Sequence, residues 1–412
     1  MTARRVLALV FILAIVMLER LAYYGVRSVL VLLMTKQLSM SHQDAFGVYQ
    51  AFTVAIYLLP FLVAPIALAS GPRIPLVAGG IVAVVGMALL GFGDASQLQV
   101  ALALFALGVA GIKVGLYSLA GELVTGLPTS ASLGLFSMAY VAINVGAFAA
   151  PLVFGTLGAT RGFSSSVIAA AGVMFLATLL SAAAAVISNP VKPTDVPRPI
   201  GLAGAALYTI AVLPILLLTE LSGTVQYDVI QAQQPESMIW FTALNPGTVV
   251  LVGGVFAGVM LVLAARRVRV RPEYIFAAGS LLFAAAALPL LLADSSSSGT
   301  TPSVDSIVMS TVLGAVGELL VMVAGLARVG TCAPSRFVPF GFAAWFGVAL
   351  LANRAVGLAT DPSTQRLLLW VAMGLTLAAG VGIAALSGLM ERSLLKPERE
   401  PSPGPSPHPV TT

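Results

Sequence analysis

Val16-Met17-Leu18-Glu19-Arg20-Leu21-Ala22-Tyr23-Tyr24-Gly25-Val26-Arg27 sets three formal charges inside an apolar run that extends from Val6 to Met34. A run of that length crosses a bilayer as one helix. Each charge near the middle of such a helix costs roughly 2.5–3.5 kcal/mol on an insertion scale, so all three must face protein or water. Arg20, Tyr24 and Arg27 recur at i, i+4 and i+7 and share one face, with Glu19 and Tyr23 beside it. Glu19 and Arg20 can neutralise each other at a helix joint. Arg27 has no acid within reach on its own helix, so it needs a charge from another helix or an anionic ligand.

The rest of the chain extends that reading. Of its 412 residues 58% are hydrophobic and only 9% are charged, with a mean hydropathy of +1.00. No soluble domain of this length needs so much apolar surface, so the expected class is an all-α polytopic membrane protein. A membrane barrel would show period-two alternation, which the sequence lacks. The net charge of +5 belongs to loops and reads as topology, with no nucleic-acid partner expected. One cysteine, Cys332, excludes an internal disulfide framework and a multi-cysteine metal site. His42 falls in a loop and His408 in a tail, which argues against a histidine proton relay. The first apolar run meets charge and then more apolar residues rather than a small-residue cleavage site, so it is expected to be a retained helix.

Twelve apolar segments follow one another, from about 5–34 to 366–390, divided by turn clusters such as Ser70-Gly71-Pro72 and Thr125-Gly126-Leu127-Pro128. The proline-rich stretch at 189–200 separates an N-terminal six-helix half (1–188) from a C-terminal one (201–392). The tail at 393–412 is rich in proline and serine and is expected to be disordered. With the N-terminus inside, the cytoplasmic side receives most of the 21 lysines and arginines, including Arg4, Arg5, Arg73, the cluster Arg266-Arg267-Val268-Arg269-Val270-Arg271, and Arg328. The outer loops hold only Lys36, Arg161 and Arg366. This bias predicts cytoplasmic termini. An even number of spans with a cytoplasmic linker predicts two halves around a midplane site.

Several polar residues lie within the spans. Lys113 and Tyr117 share a face of the fourth segment. Glu122 lies near that segment's cytoplasmic end, and Glu220 near the outer end of the seventh. Asn144 precedes Gly146 and Pro151 in the fifth segment and could serve as interhelical glue. In the eighth, Asn245-Pro246 frees a backbone carbonyl that could line a cavity. Glu318 is isolated deep in the tenth segment, where an unpaired carboxylate would stay protonated. Arg354 is close enough to the outer interface to snorkel. The deep set is then Glu19, Glu220 and Glu318 against Arg20, Arg27 and Lys113. It is balanced in charge and able to exchange partners.

At these residues the sequence resembles a known family. Glu19-Arg20-Leu21-Ala22-Tyr23-Tyr24-Gly25 with Arg27 is similar to the first-helix ExxERFxYYG signature of the proton-dependent oligopeptide transporters, the POT/PTR family of the major facilitator superfamily. Tyr140-Val141-Ala142-Ile143-Asn144-Val145-Gly146 with Pro151 resembles the fifth-helix FYxxINxGSxxSP motif. Glu220 and Leu244-Asn245-Pro246 stand where the family has an acid and a Leu-Asn-Pro. Gly317-Glu318-Leu319-Leu320, Ala333-Pro334, Arg336-Phe337, Trp345-Phe346 and Asn353 follow its tenth and eleventh helices. Val16 replaces the first signature glutamate, Val114 the proline after the fourth-helix lysine, and Val323 a tenth-helix proline.

The resemblance implies a major facilitator fold of two six-helix halves and a proton-coupled symporter that imports di- or tripeptides, or peptide-like compounds, by alternating access. It implies proton-coupling and gating roles for Glu19, Arg20, Arg27, Lys113, Glu220 and Glu318. It also implies a substrate cavity lined by Tyr23, Tyr24, Tyr140, Asn144, Asn245 and Trp345. Arg27 and Lys113 would hold the peptide carboxylate and Glu318 its ammonium. Arg27–Glu220 would close the outer gate and Lys113–Glu318 the inner one. The expected protein is a monomer in a bacterial inner membrane, with no enzymatic activity, no metal and no cofactor beyond the coupling proton. An exporter of peptide-like natural products or drugs on the same scaffold is the alternative, favoured by Val16. A non-transporting sensor is the reading from another class, and no loop offers it an output domain.

Overall fold

A computed structural model describes residues 3–188, 201–233, 238–293, 302–332, 337–357 and 361–395. The expected linker at 189–200, the Ala333–Arg336 part of the motif match and the tail beyond 395 lie outside the described residues. Twelve helices are long and apolar enough to span a membrane: α1 (Ala3–Gln37), α2 (His42–Ser70), α3 (Arg73–Phe92), α4 (Leu98–Val124), α5 (Thr129–Arg161), α6 (Phe163–Ile187), α7 (Ala203–Gln231), α8 (Trp240–Ala265), α9 (Pro272–Leu292), α10 (Val304–Thr331), α11 (Val338–Gly357) and α12 (Ser363–Gly388). The expected segments and the observed spans correspond one to one.

Local chemistry accounts for where these helices start and bend. Ser41 caps α2, its Oγ accepting from the Asp44 N–H at 3.1 Å while donating to the Asp44 carboxylate at 2.6 Å. Asp361 precedes α12 and accepts from the Thr364 N–H at 2.8 Å. Hydrogen bonds from Ser363 and Thr364 hold its carboxyl down at about 2. Pro151 has no N–H to continue the ladder of α5, and the helix passes through a π turn at Pro151–Gly155 before resuming.

Packing within each half depends on glycine. On α3 and α4, a Cβ at Gly79 would lie 2.8 Å from the Gly108 carbonyl oxygen and one at Gly115 would lie 2.5 Å from the Leu76 nitrogen. On α9 and α10, a Cβ at Gly317 would meet the Gly279 oxygen at 2.9 Å. Without a water-driven hydrophobic force inside a bilayer, such close backbone approach is what holds helix pairs together. α3–α4 and α9–α10 are therefore equivalent joints in the two halves, and each half is further closed by α1–α5–α6 or by α7–α11–α12.

The halves meet through α2–α11 and α5–α8, and also through contacts of α4 and α5 with α10 and of α4 with α11. The end bearing Arg5, Arg73, Arg266–Arg271 and Arg328 is called the basic end here. At that end a Cβ on Gly330 of α10 would lie 3.8 Å from Cα of Gly121 of α4. Arg5 there donates to the Leu123 and Thr125 carbonyls at the end of α4 at 2.7 and 2.5 Å, and Arg73 to the Ser188 carbonyl beyond α6 at 3.3 Å. Cations thus satisfy carbonyls at helix C-termini.

Candidate substrate chamber between the halves

Glycine spacing determines which side chains face the middle. Gly111 and Gly115 seat α4 on α3, and Lys113 lies midway between them, about 200° round the helix, so it faces away from that joint. Gly317 seats α10 on α9, and Glu318, one residue on, turns toward α5 and α8.

On the N-terminal side the cations are surrounded by aromatic rings. Glu19 and Arg20, 2% and 9% exposed, form a bidentate pair at 2.5 and 2.6 Å. Arg20 is neutralised by its neighbour on the same helix, because adjacent side chains at the edge of one face can meet without a second element. The Arg20 guanidinium also sits 4.8 Å from the Tyr23 ring centre and 5.9 Å from that of Tyr24. Arg27 lies 5.8 and 5.9 Å from the same two rings and donates to the Tyr49 hydroxyl on α2 at 2.9 and 2.5 Å. Lys113, 8% exposed, has its ammonium 5.5 Å from the Tyr57 ring and 5.6 Å from Phe346 of the opposite half. Tyr117 packs on Phe342 and Phe346.

The C-terminal side supplies the acids. Glu318 accepts from the Tyr140 hydroxyl of α5 and from the Asn245 amide of α8 at 3.2 Å. Glu220 of α7 lies near the Asn353 side chain of α11. A small polar recess of about 40 Å³ extends from Glu318 and Asn245 past Thr219, Ser222 and Gln226 to Ser310.

Two expected pairings are absent from this conformation. Among the described residues, neither Arg27–Glu220 nor Lys113–Glu318 forms an ion pair. Each of the four charges is held instead by a neutral phenol, amide or ring, which leaves unpaired cations on the N-terminal side and unpaired carboxylates on the C-terminal side. Trp345 does not line it. The indole is 2% exposed and covers Gly325 of α10, where an added Cβ would lie 2.0 Å from the ring. Asn144 is not interhelical glue either, since its amide donates to the Tyr140 carbonyl one turn back at 2.9 Å. Arg354 is exposed, as snorkelling requires. Tyr49 and Tyr57 are the partners that the sequence reading missed. Both come from α2, which carries no motif, and their one sequence signal is polar hydroxyls within an apolar span. No group of three or more metal-ligating side chains occurs among the described residues.

In this bundle two six-helix halves meet along one joint, with the cations Arg27 and Lys113 on the N-terminal side and Glu220 and Glu318 on the C-terminal side, in a fold of the major facilitator type. The sequence profile of the POT family matches residues 75–197. Dipeptide and tripeptide permease A of Klebsiella pneumoniae (strain 342) is 24% identical over 431 residues, covering 86% of this chain and 84% of that protein. The protein of the same name from Erwinia pyrifoliae is also 24% identical, over 84% of each. A solved peptide transporter POT in complex with sulfate aligns with a TM-score of 0.62 at 22% identity, covering 94% of this chain and 95% of that one. A POT family transporter in complex with a thioalcohol-conjugated peptide aligns at 0.65 and 17%, covering 93% and 96%. Together with the first- and tenth-helix motifs, these findings make the chain similar to POT family transporters over most of its length.

Proposed function

We propose that the protein is a proton-coupled symporter that imports di- or tripeptides, or peptide-like compounds, by alternating access. The observation that carries the reading is that Arg27 and Lys113 of the N-terminal half and Glu318 of the C-terminal half sit on helices of a bundle whose halves meet, α4 touching α10, with none of the three in an ion pair. A short peptide offers a carboxylate at one end and an ammonium at the other, so it can satisfy both sides at once. The permease names of the sequence relatives support the same substrate class.

In this proposal the carboxylate goes to Arg27 and Lys113 and the ammonium to Glu318. Tyr23, Tyr24, Tyr140 and Asn245 complete the lining. Proton coupling resides in Glu318 and Glu220, whose charges alter the attraction between the halves. Glu19 is engaged with Arg20, so it serves the pair rather than the coupling. Trp345 and Asn144 act by packing and by bracing the Tyr140 turn. The expected orientation has both termini and the basic end in the cytoplasm of a bacterial inner membrane. The protein acts as a monomer and performs no enzymatic chemistry.

Labelled dialanine uptake into proteoliposomes tests this. Uptake should rise with an inward proton gradient and collapse when the gradient is dissipated. Uptake indifferent to the gradient removes the coupling, and no uptake of any short peptide removes the substrate class. Val16, 3% exposed in the core of α1, favours a second reading as an exporter, because a candidate proton carrier of the family signature is an inert hydrocarbon here. Net movement measured in inside-out vesicles separates the two directions.

A further inference from the structure

A second cavity, of about 430 Å³, lies at the basic end, away from the chamber. Its wall is formed by Arg267, Arg269 and Arg271 of the turn between α8 and α9, by Arg328 of α10, and by Pro128-Thr129 at the start of α5. Four arginines thus line it, with Arg271 also donating to the Tyr274 hydroxyl at 3.2 Å, and Glu273 is the one carboxylate in its lining. That carboxylate is committed elsewhere: it pairs with Arg328 at 2.5 Å, accepts from the Tyr208 hydroxyl at 3.3 Å and is 2% exposed. Arg267 has φ +57°, the left-handed conformation in which helix C-termini ordinarily use glycine. The Arg267 and Val268 N–H groups bond back to Ala264 and Leu263, which fixes that turn. A charged side chain thus occupies a position where backbone geometry prefers none.

We propose that this cavity binds a phosphate-bearing anion, supplied by a lipid headgroup or by a soluble phosphate. Arginine forks suit planar, multidentate recognition of phosphate oxygens, and basic pockets between membrane helices at the headgroup level are suited to anionic headgroups. Pro128 and Thr129 belong to the N-terminal half, and every other lining residue belongs to the C-terminal half. An anion there ties α5 to the α8–α9 turn across the joint and resists parting of the halves at the basic end. That consequence rests on the alternating-access reading; the binding does not.

The full chain in detergent is titrated in a thermal-shift assay with inorganic phosphate and, separately, with short-chain phosphatidylglycerol, using phosphatidylcholine of equal chain length as the control. A saturable rise of several degrees is expected with at least one of the two anions and not with the control. Phosphate alone identifies a soluble ligand, and phosphatidylglycerol alone a lipid. The variant Arg267→Ala/Arg269→Ala should weaken the response at least tenfold, and Arg161→Ala, outside the cavity, should leave it unchanged. If the double variant fails to fold, the exposed single change Arg269→Gln takes its place. No saturable shift with either anion, or an equal shift in the cavity variants, overturns the proposal. Amide exchange of residues 128–135 should slow on binding. Binding without that slowing overturns the bridging of the halves. Dialanine uptake is a separate readout, so failure of the peptide-transport reading leaves this result standing.

Discussion

The third and fourth helices of each half carry one ion pair at the same place with the charges exchanged. In the N-terminal half, Arg73 at the start of α3 faces Glu122 near the end of α4 at 3.4 Å, with side chains 20% and 27% exposed. In the C-terminal half, Glu273 at the start of α9 meets Arg328 near the end of α10 at 2.5 Å, with side chains 2% and 11% exposed. The first is shared with solvent, where such a pair contributes about 0–1 kcal/mol. The second is buried, and both of its side chains also line the basic cavity. The chamber repeats the contrast: the N-terminal side offers cations wrapped in rings, and the C-terminal side offers acids held by hydroxyl and amide groups. One architecture used twice therefore presents opposite charge from its two copies.

The buried pair should give the largest effect. Glu273→Ala leaves Arg328 buried without its carboxylate, and removing one partner of such a pair costs about 3–5 kcal/mol. The melting temperature of the detergent-solubilised protein should fall by several degrees. A fall no greater than that of the corresponding N-terminal variant would erase the distinction between the two joints.

Glu318→Gln tests the chamber. Glutamine keeps an oxygen to accept from Tyr140, and Asn245 can turn its amide to present its own oxygen, so ligand-free stability should change little. The charge that would meet a peptide ammonium is lost, and hydrogen bonds to charged groups contribute roughly 1.5–3 kcal/mol. Dialanine affinity in a thermal-shift titration should fall at least tenfold. Normal binding by this variant would remove Glu318 from the site. Tyr140→Phe is expected to do less. It deletes one hydroxyl that links the halves, so the melting temperature should drop by a few degrees while dialanine still binds more tightly than to Glu318→Gln. Equal loss of binding in both variants would mean that the hydroxyl touches the ligand.

The number of spans and their order could be read from the sequence, because a bilayer requires about 20 apolar residues per crossing and tolerates few charges. Glu318 and Lys113 stood out for the same reason. The pairing did not. Glu19 and Arg20 satisfy each other, and Arg27 is met by a tyrosine of α2, because phenols and ring faces can hold a cation and leave no charge pattern to find. Trp345 carries a motif letter but fills the gap above Gly325, a contact between two helices that no single-chain periodicity reports. The family resemblance supplied roles for these residues, and the packing decides which of them can reach a ligand.

Glu122→Ala should have the smallest effect, and it is the one most sensitive to conditions. Arg73 does not depend on Glu122, since it also donates to the Ser188 hydroxyl at 3.2 Å and to the Ser188 carbonyl at 3.3 Å. The half-buried geometry allows salt to screen the pair more than the Glu273–Arg328 pair, with a Debye length of about 10 Å at 0.1 M. The loss should be within about 1 kcal/mol in low salt and should shrink further as salt is added. The Glu273→Ala loss should respond less to salt, because the two side chains are only 2% and 11% exposed. Melting curves of both variants across a salt series separate the two joints by slope as well as by size. Parallel slopes would mean that the two pairs are equally wet, and the contrast between the halves would then lie in the chamber alone.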